Sequence, residues 1–77
     1  VDLPAGDAAL FEALRAWRTR VAREQGVPAY VVFADATLRA LAAARPASLA
    51  DLDAISGIGA KKKESYGRAV LEVTAQG

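Results

Sequence analysis

The chain has 77 residues, about a quarter of them alanine, which suffices for one small domain with a modest core. It contains no cysteine and no histidine, which excludes a disulfide framework, a thiolate nucleophile, a zinc–thiolate site and the usual general base at neutral pH. The net charge is only +1, so any grip on nucleic acid must come from a local patch and must weaken with salt.

Abundant alanine and few β-branched runs predict an all-α fold. No apolar run approaches the length of a membrane span, and no signal or targeting segment is visible. A cytoplasmic protein with no membrane partner is expected. The chain contains no methionine. It therefore reads as a piece of a longer protein, with residues 1–6 as a linker remnant and residues 7–77 as the domain.

The first helix is expected to start with Asp7 as its N-cap and to end before Gly26. Leu10, Leu14, Trp17 and Val21 recur at helical spacing and form its apolar stripe. Arg18 and Arg20 flank the stripe, while Arg15 and Arg23 lie further toward solvent. Pro28 then opens the short apolar run Ala29–Phe33, whose period is ambiguous. A lone strand would have no partner here, so the run reads as a short buried helical turn. Asp35 is expected to cap a helix from Ala36 to about Ala44, with Leu38, Leu41 and Ala42 inward. Pro46 stops it, because the residue before a proline disfavours the α region.

Ser48 followed by Asp51 resembles a capping box with Asp in place of Glu. The short helix behind it packs through Leu49, Leu52 and Ile55. A Gly57-Ile58-Gly59 turn follows. The last helix is expected from Ala60 to about Thr74, with Tyr66, Ala69, Val70 and Val73 on its core face. The whole is four or five helices joined by short loops.

The turn carries the functional signal. Its glycines permit φ > 0 and close packing, and that alone accounts for them structurally. It also places unpaired N–H groups at the head of a helix, next to Lys61, Lys62 and Lys63, a combination suited to a phosphate. Three consecutive helical residues fan over about 200°, so the lysines cannot share one ligand. Lys61 falls on the side of Glu64, Arg68 and Glu72, where an ion-pair ladder is expected. Lys62 and Lys63 border the core face and can snorkel past the turn, which makes them the better phosphate candidates. Tyr30 either fills core space through its ring or offers that ring to a base. Trp17 reads as core. Asp51 reads as a cap and Asp53 as a solvated surface residue. Neither has a catalytic partner, since residues two apart on a helix do not face each other.

Leu14-Arg15, Arg18, Ala22, Val27-Pro28, Tyr30 to Phe33, Asp35 to Leu38, Arg45-Pro46, Leu52, Ile55, Gly57-Ile58-Gly59, Lys62, Tyr66-Gly67 and Leu71 together resemble the HRDC domain, the helicase and RNase D C-terminal domain. The resemblance covers about residues 9–74. The run Val-Pro-x-Tyr-Val-Val-Phe-x-Asp-Ala-Thr-Leu, followed by Gly-Ile-Gly-x-x-Lys-x-x-x-Tyr-Gly, is most similar to RecQ-type DNA helicases.

That likeness implies an all-α, compact five-helix bundle with a helix-hairpin-helix-like Gly-Ile-Gly turn. It implies a non-catalytic accessory domain, without cofactor or metal, of a RecQ-like ATP-dependent DNA helicase. The domain would be a monomer and would bind single-stranded or branched DNA weakly, targeting or regulating unwinding. Carried over by position, Tyr30, Arg18 and Lys62 match the family's basic, aromatic-containing patch. Gly57, Gly59, Lys61 and Lys63 complete the expected nucleic-acid site. The chain departs from the pattern in its nearly balanced charge. The alternative is a protein-interaction module that docks on other domains of the same helicase. A third reading, RNA targeting in an RNase D-like nuclease, is less well matched by residues 30–38.

Overall fold

The computed structural model describes the backbone over residues 5–76 and the side chains over residues 7–76. Five helices lie in this span: α1 (Ala5–Gln25), α2 (Ala29–Val32), α3 (Asp35–Ala44), α4 (Leu49–Leu52) and α5 (Ala60–Gln76). The fold is an all-α bundle. The long α1 packs against α2, α3 and α5, while α4 lies against α5. Ala5 and Gly6 of the expected linker are already helical, and Val1–Pro4 lie outside the described residues.

The predicted stripe of α1 is the spine of the core. Leu10, Leu14 and Trp17 are buried with Val32, Phe33, Leu38, Leu41, Leu52 and Val70, and Val21 packs at the edge. Each fully buried side chain of this size contributes about 1.5–3 kcal/mol. Three rings close one end of the core. Trp17 lies 5.9 Å from both Phe33 and Tyr66, and Phe33 meets Tyr66 edge-on at 5.6 Å. The Tyr66 hydroxyl donates to Gln25 Oε1 at 3.0 Å, which fixes α5 to the end of α1.

The helix ends follow local chemistry in three places. Gly26, at φ 68°, closes α1 in a Schellman arrangement, with Val27 N–H on Ala22 C=O at 3.0 Å and Gly26 N–H on Arg23 C=O at 3.2 Å. Ser48 Oγ accepts from Asp51 N–H at 3.3 Å, as a capping box requires. The reciprocal bond is shifted by one residue, because the short Asp51 carboxylate accepts from Ala47 N–H at 3.0 Å. α3 stops before Pro46, but the pre-proline residue is not extended. Arg45 takes a left-handed conformation, φ 48°, with its N–H on Leu41 C=O at 2.9 Å.

Two expected caps are not caps. Asp7 sits inside the first turn of α1, and its carboxylate accepts from Arg45 Nε at 3.4 Å. The N-cap of α3 is Ala34, whose methyl group can accept no hydrogen bond. Asp35 is the first helical residue and turns instead to Arg18, whose Nη1 lies 2.7 Å from Asp35 Oδ1. In each case a distant arginine holds the carboxylate that local pattern assigned to the backbone.

Arg18 is buried, at 8% exposure, and the same Nη1 donates to Phe33 C=O at 3.0 Å. That carbonyl ends α2, so one guanidinium ties α1 to the α2–α3 junction. Its Nε is buried without a hydrogen-bond partner among the described residues. The clamp holds despite that desolvated donor. The hydrogen bond from Arg18, and then its charge, hold the Asp35 carboxyl below its ordinary value. A lowered folded-state value means that Asp35 contributes stability above the usual carboxylate range. That contribution disappears as pH falls through the lowered value.

Arg18→Ala strands the Phe33 carbonyl and is expected to lose about 2 kcal/mol in urea unfolding. Asp35→Asn is expected to be less stable than the parent at neutral pH. The gap between them should close on acidification from about pH 6 to about pH 2. A gap that is constant across this range would mean that Asp35 ionisation does not support the clamp.

Candidate nucleic-acid interface

The Gly57-Ile58-Gly59 segment joins α4 to α5 through a type II β-turn. Ile58 N–H bonds to Ile55 C=O at 3.3 Å across Ser56 and Gly57, and Gly57 takes φ 93°, as the third position of that turn requires. The Thr37 hydroxyl donates to Ser56 C=O at 3.3 Å and pins the turn to α3. A Cβ on Gly57 would collide with that same Thr37 hydroxyl oxygen. Gly57 is therefore glycine for reasons of fold.

Gly59 differs. Its φ is not in the left-handed region, and a Cβ there would meet nothing within 4 Å. Its carbonyl accepts from Lys63 N–H at 2.9 Å, so it is the residue at which α5 begins. Having no side chain, it leaves the amino end of α5 uncapped and open to solvent.

The three lysines go three ways. Lys62 is half-buried, and its Nζ stands 5.4 Å from the Phe33 ring centroid, a cation–π contact. Lys63 has a partner that the sequence did not show. Its Nζ lies 2.8 Å from Asp53 Oδ1, so Asp53 is an ion-pair partner rather than a merely solvated acid. Lys61 is exposed, and the expected ladder with Glu64, Arg68 and Glu72 is not formed. Helical geometry gave the direction of each lysine correctly but could not reveal a carboxylate arriving from outside the helix. Among the described residues, Lys61 and Lys62 have no ion-pair partner, and Lys63 has one.

Tyr30 is 72% exposed, which removes the core alternative for its ring. The four-residue α2 is too short to bury both faces. Val32 and Phe33 turn inward, and Tyr30 and Val31 turn outward. Lys62 reaches Phe33, which ends the element that carries Tyr30. Lys62 thus packs on the inward ring of Phe33, while the Tyr30 ring turns outward from the short helix before it. Arg18 does not join them, because its guanidinium is buried in the clamp.

Two features were missed in the sequence. One is the Asp53–Lys63 pair, for which no helical spacing gives a signal. The other is an open groove of about 460 Å³ lined by Leu49, Ala60, Lys63, Glu64 and Arg68. Nearby, α4 approaches α5 closely at Gly67, where a Cβ would lie 2.8 Å from Leu49 Cδ2. Among the described residues, no helix is long and apolar enough to cross a membrane.

Among the described residues the five helices thus present a bare helix head, two unpaired lysines and an exposed tyrosine. The family model described as HRDC domain matches residues 7–74, and the chain belongs to the HRDC family. It is 52% identical over 67 residues to ATP-dependent DNA helicase UvrD2 of Mycobacterium tuberculosis, covering 87% of this chain and 10% of that protein. It is 44% identical over 63 residues to ATP-dependent DNA helicase RecQ of Bacillus subtilis, covering 82% of this chain and 11% of that protein. A solved structure, D. radiodurans RecQ HRDC domain 3, is similar with a TM-score of 0.89 and 43% identity, covering 94% of this chain and 95% of that one. The chain spans about a tenth of the length of these helicases. Over that tenth it is similar to UvrD2 and RecQ helicases alike.

The two glycines give a direct check on the turn. Gly57→Ala is expected to lose about 1–3 kcal/mol, from the left-handed φ and the Thr37 collision. Gly59→Asp is expected to be neutral or to raise the melting temperature, because its carboxylate would cap the amino end of α5. Equal losses at both positions in thermal unfolding would contradict the separation of fold and surface roles.

Proposed function

We propose that this domain is a DNA-contact module of a RecQ-like ATP-dependent helicase, holding single-stranded or branched DNA weakly and targeting or regulating unwinding. The observation that carries the reading is Tyr30. A large ring that is 72% exposed contributes little to the core and leaves its face to solvent. A base stacks on such a face without regard to sequence. Phosphates meet Lys61, Lys62 and the uncapped N–H groups that follow Gly59. Gly57 shapes the turn, and Lys63 adds charge only when released from Asp53. Arg18 acts at a remove, by holding the α2–α3 junction. The names of the UvrD2 and RecQ relatives, both ATP-dependent DNA helicases, support DNA as the partner.

A second reading has its own observation. The groove at Leu49 and Arg68, together with a net charge of only +1, suits docking on another domain of the parent helicase. The two readings separate cleanly by mutation. Tyr30→Ala should weaken binding to a fluorescent single strand by about 1–3 kcal/mol, read by anisotropy at low salt. Its melting temperature should stay unchanged, because the ring is in solvent. Lys61→Ala with Lys62→Ala should weaken all sequences alike and flatten the salt dependence. No binding of any DNA form by the unmodified domain would refute the DNA-contact reading. Leu49→Asp or Arg68→Glu impairing unwinding in the full helicase, with DNA affinity of the domain intact, would favour docking.

A further inference from the structure

We propose that Asp53 is a resident stand-in for a nucleic-acid phosphate: it occupies Lys63 in the free domain and sets how tightly the turn before α5 holds DNA. This rests on the DNA-contact reading above and adds a control to that surface.

The argument begins with position. Asp53 is the residue at which α4 ends, and its own N–H is bonded to Ala50 C=O and Asp51 C=O. The backbone therefore fixes where its carboxylate starts. The neighbouring acid, Asp51, is committed to Ala47 N–H at 3.0 Å. Asp53 is left to face α5, and its Oδ1 lies 2.8 Å from Lys63 Nζ, within the range of a charge-assisted bond.

Lys63 belongs to the first turn of α5, where its N–H closes on Gly59 C=O. Side chains on a helix lean toward its amino end, so the Lys63 ammonium is directed back toward the turn. Its stem runs beside Gly67: a Cβ at that position would lie 3.5 Å from Lys63 Cγ. Three successive lysines at this end oppose the helix dipole. A carboxylate alongside relieves that conflict in the free domain, and a DNA phosphate would relieve it equally. The pair is exposed, at 31% for the lysine side chain and 65% for the aspartate, so solvent screens it and a phosphate can replace it. Counterions leave the DNA only where a cation neutralises a phosphate, so while Asp53 keeps the ammonium this lysine is almost silent in the salt dependence.

The test is a mutant cycle on a fluorescent oligothymidylate, read by anisotropy across a salt series. The variants are Asp53→Asn, Lys63→Ala and the double variant, with Glu72→Gln as a remote carboxylate on the same helix. Circular dichroism melts confirm that each variant is folded. Asp53→Asn is expected to tighten binding about threefold or more and to steepen the log–log salt slope by about 0.7, one extra single-strand phosphate contact. Lys63→Ala alone should change little, and in the double variant the gain should vanish. Glu72→Gln should move neither quantity. A gain that survives Lys63→Ala, or that Glu72→Gln reproduces, would show general charge and overturn the proposal while leaving DNA contact standing. An unchanged slope in Asp53→Asn would overturn it as well. Absence of binding by every variant would remove the DNA-contact reading itself, and this proposal with it.

Discussion

The surface of this domain depends on one buried guanidinium. Arg18 Nη1 bonds at once to Phe33 C=O and to Asp35 Oδ1, and these two atoms bracket the passage from α2 to α3. α2 has only four residues, and its N-cap Pro28 makes no side-chain cap bond, so it cannot hold its place by helical hydrogen bonding alone. The clamp fixes the Phe33 backbone, and with it the ring that stacks against Trp17 and Tyr66. The Phe33 ring in turn seats Lys62. With Val32 and Phe33 held inward, Tyr30 is left facing solvent. An interior arginine thus determines an exterior tyrosine.

This coupling explains why Arg18 belongs to the pattern that resembles HRDC domains without lying on the surface. A residue type associated with phosphate contact can occur in a family motif for reasons of folding. Burial separates the two roles. At 8% exposure, with one nitrogen already shared between two acceptors, Arg18 has little to offer a phosphate.

Most of the fold was legible because its signals are local. Gly26 announces a left-handed stop, Ser48 announces a cap, and the spacing from Leu10 to Trp17 gives one buried face. Where reading failed, the competing partner lay far along the chain. Asp7 and Asp35 have the chemistry of N-caps, yet arginines 38 and 17 residues away claim their carboxylates. The apolar run at Ala29–Phe33 does not say which side is buried, and only the clamp decides it. At the site, helical geometry fanned the lysines correctly, but α4 delivers the carboxylate of Asp53 to one of them. Gly57 and Gly59 look alike in sequence. Only the Thr37 hydroxyl distinguishes a glycine needed by the turn from one that leaves a helix head bare.

Near-neutral net charge is a weaker objection to nucleic-acid contact than it first appears, because the charges are not evenly spent. Asp7, Glu12, Asp35 and Asp53 are each consumed by Arg45, Arg15, Arg18 and Lys63. These pairs cancel locally and cast little field beyond a Debye length. What DNA would meet is the remainder, in which Lys61 and Lys62 lie at the head of α5 with Glu64 one turn on, while Glu72 sits about three turns further along that helix. Opposing charge at that distance is largely screened at physiological salt, whereas Asp53 lies in direct contact with the cluster. The sign of the local potential is thus governed by the neighbouring carboxylates Asp53 and Glu64 more than by the sum over the chain. A patch arranged in this way would hold a polyanion lightly and release it readily as salt rises.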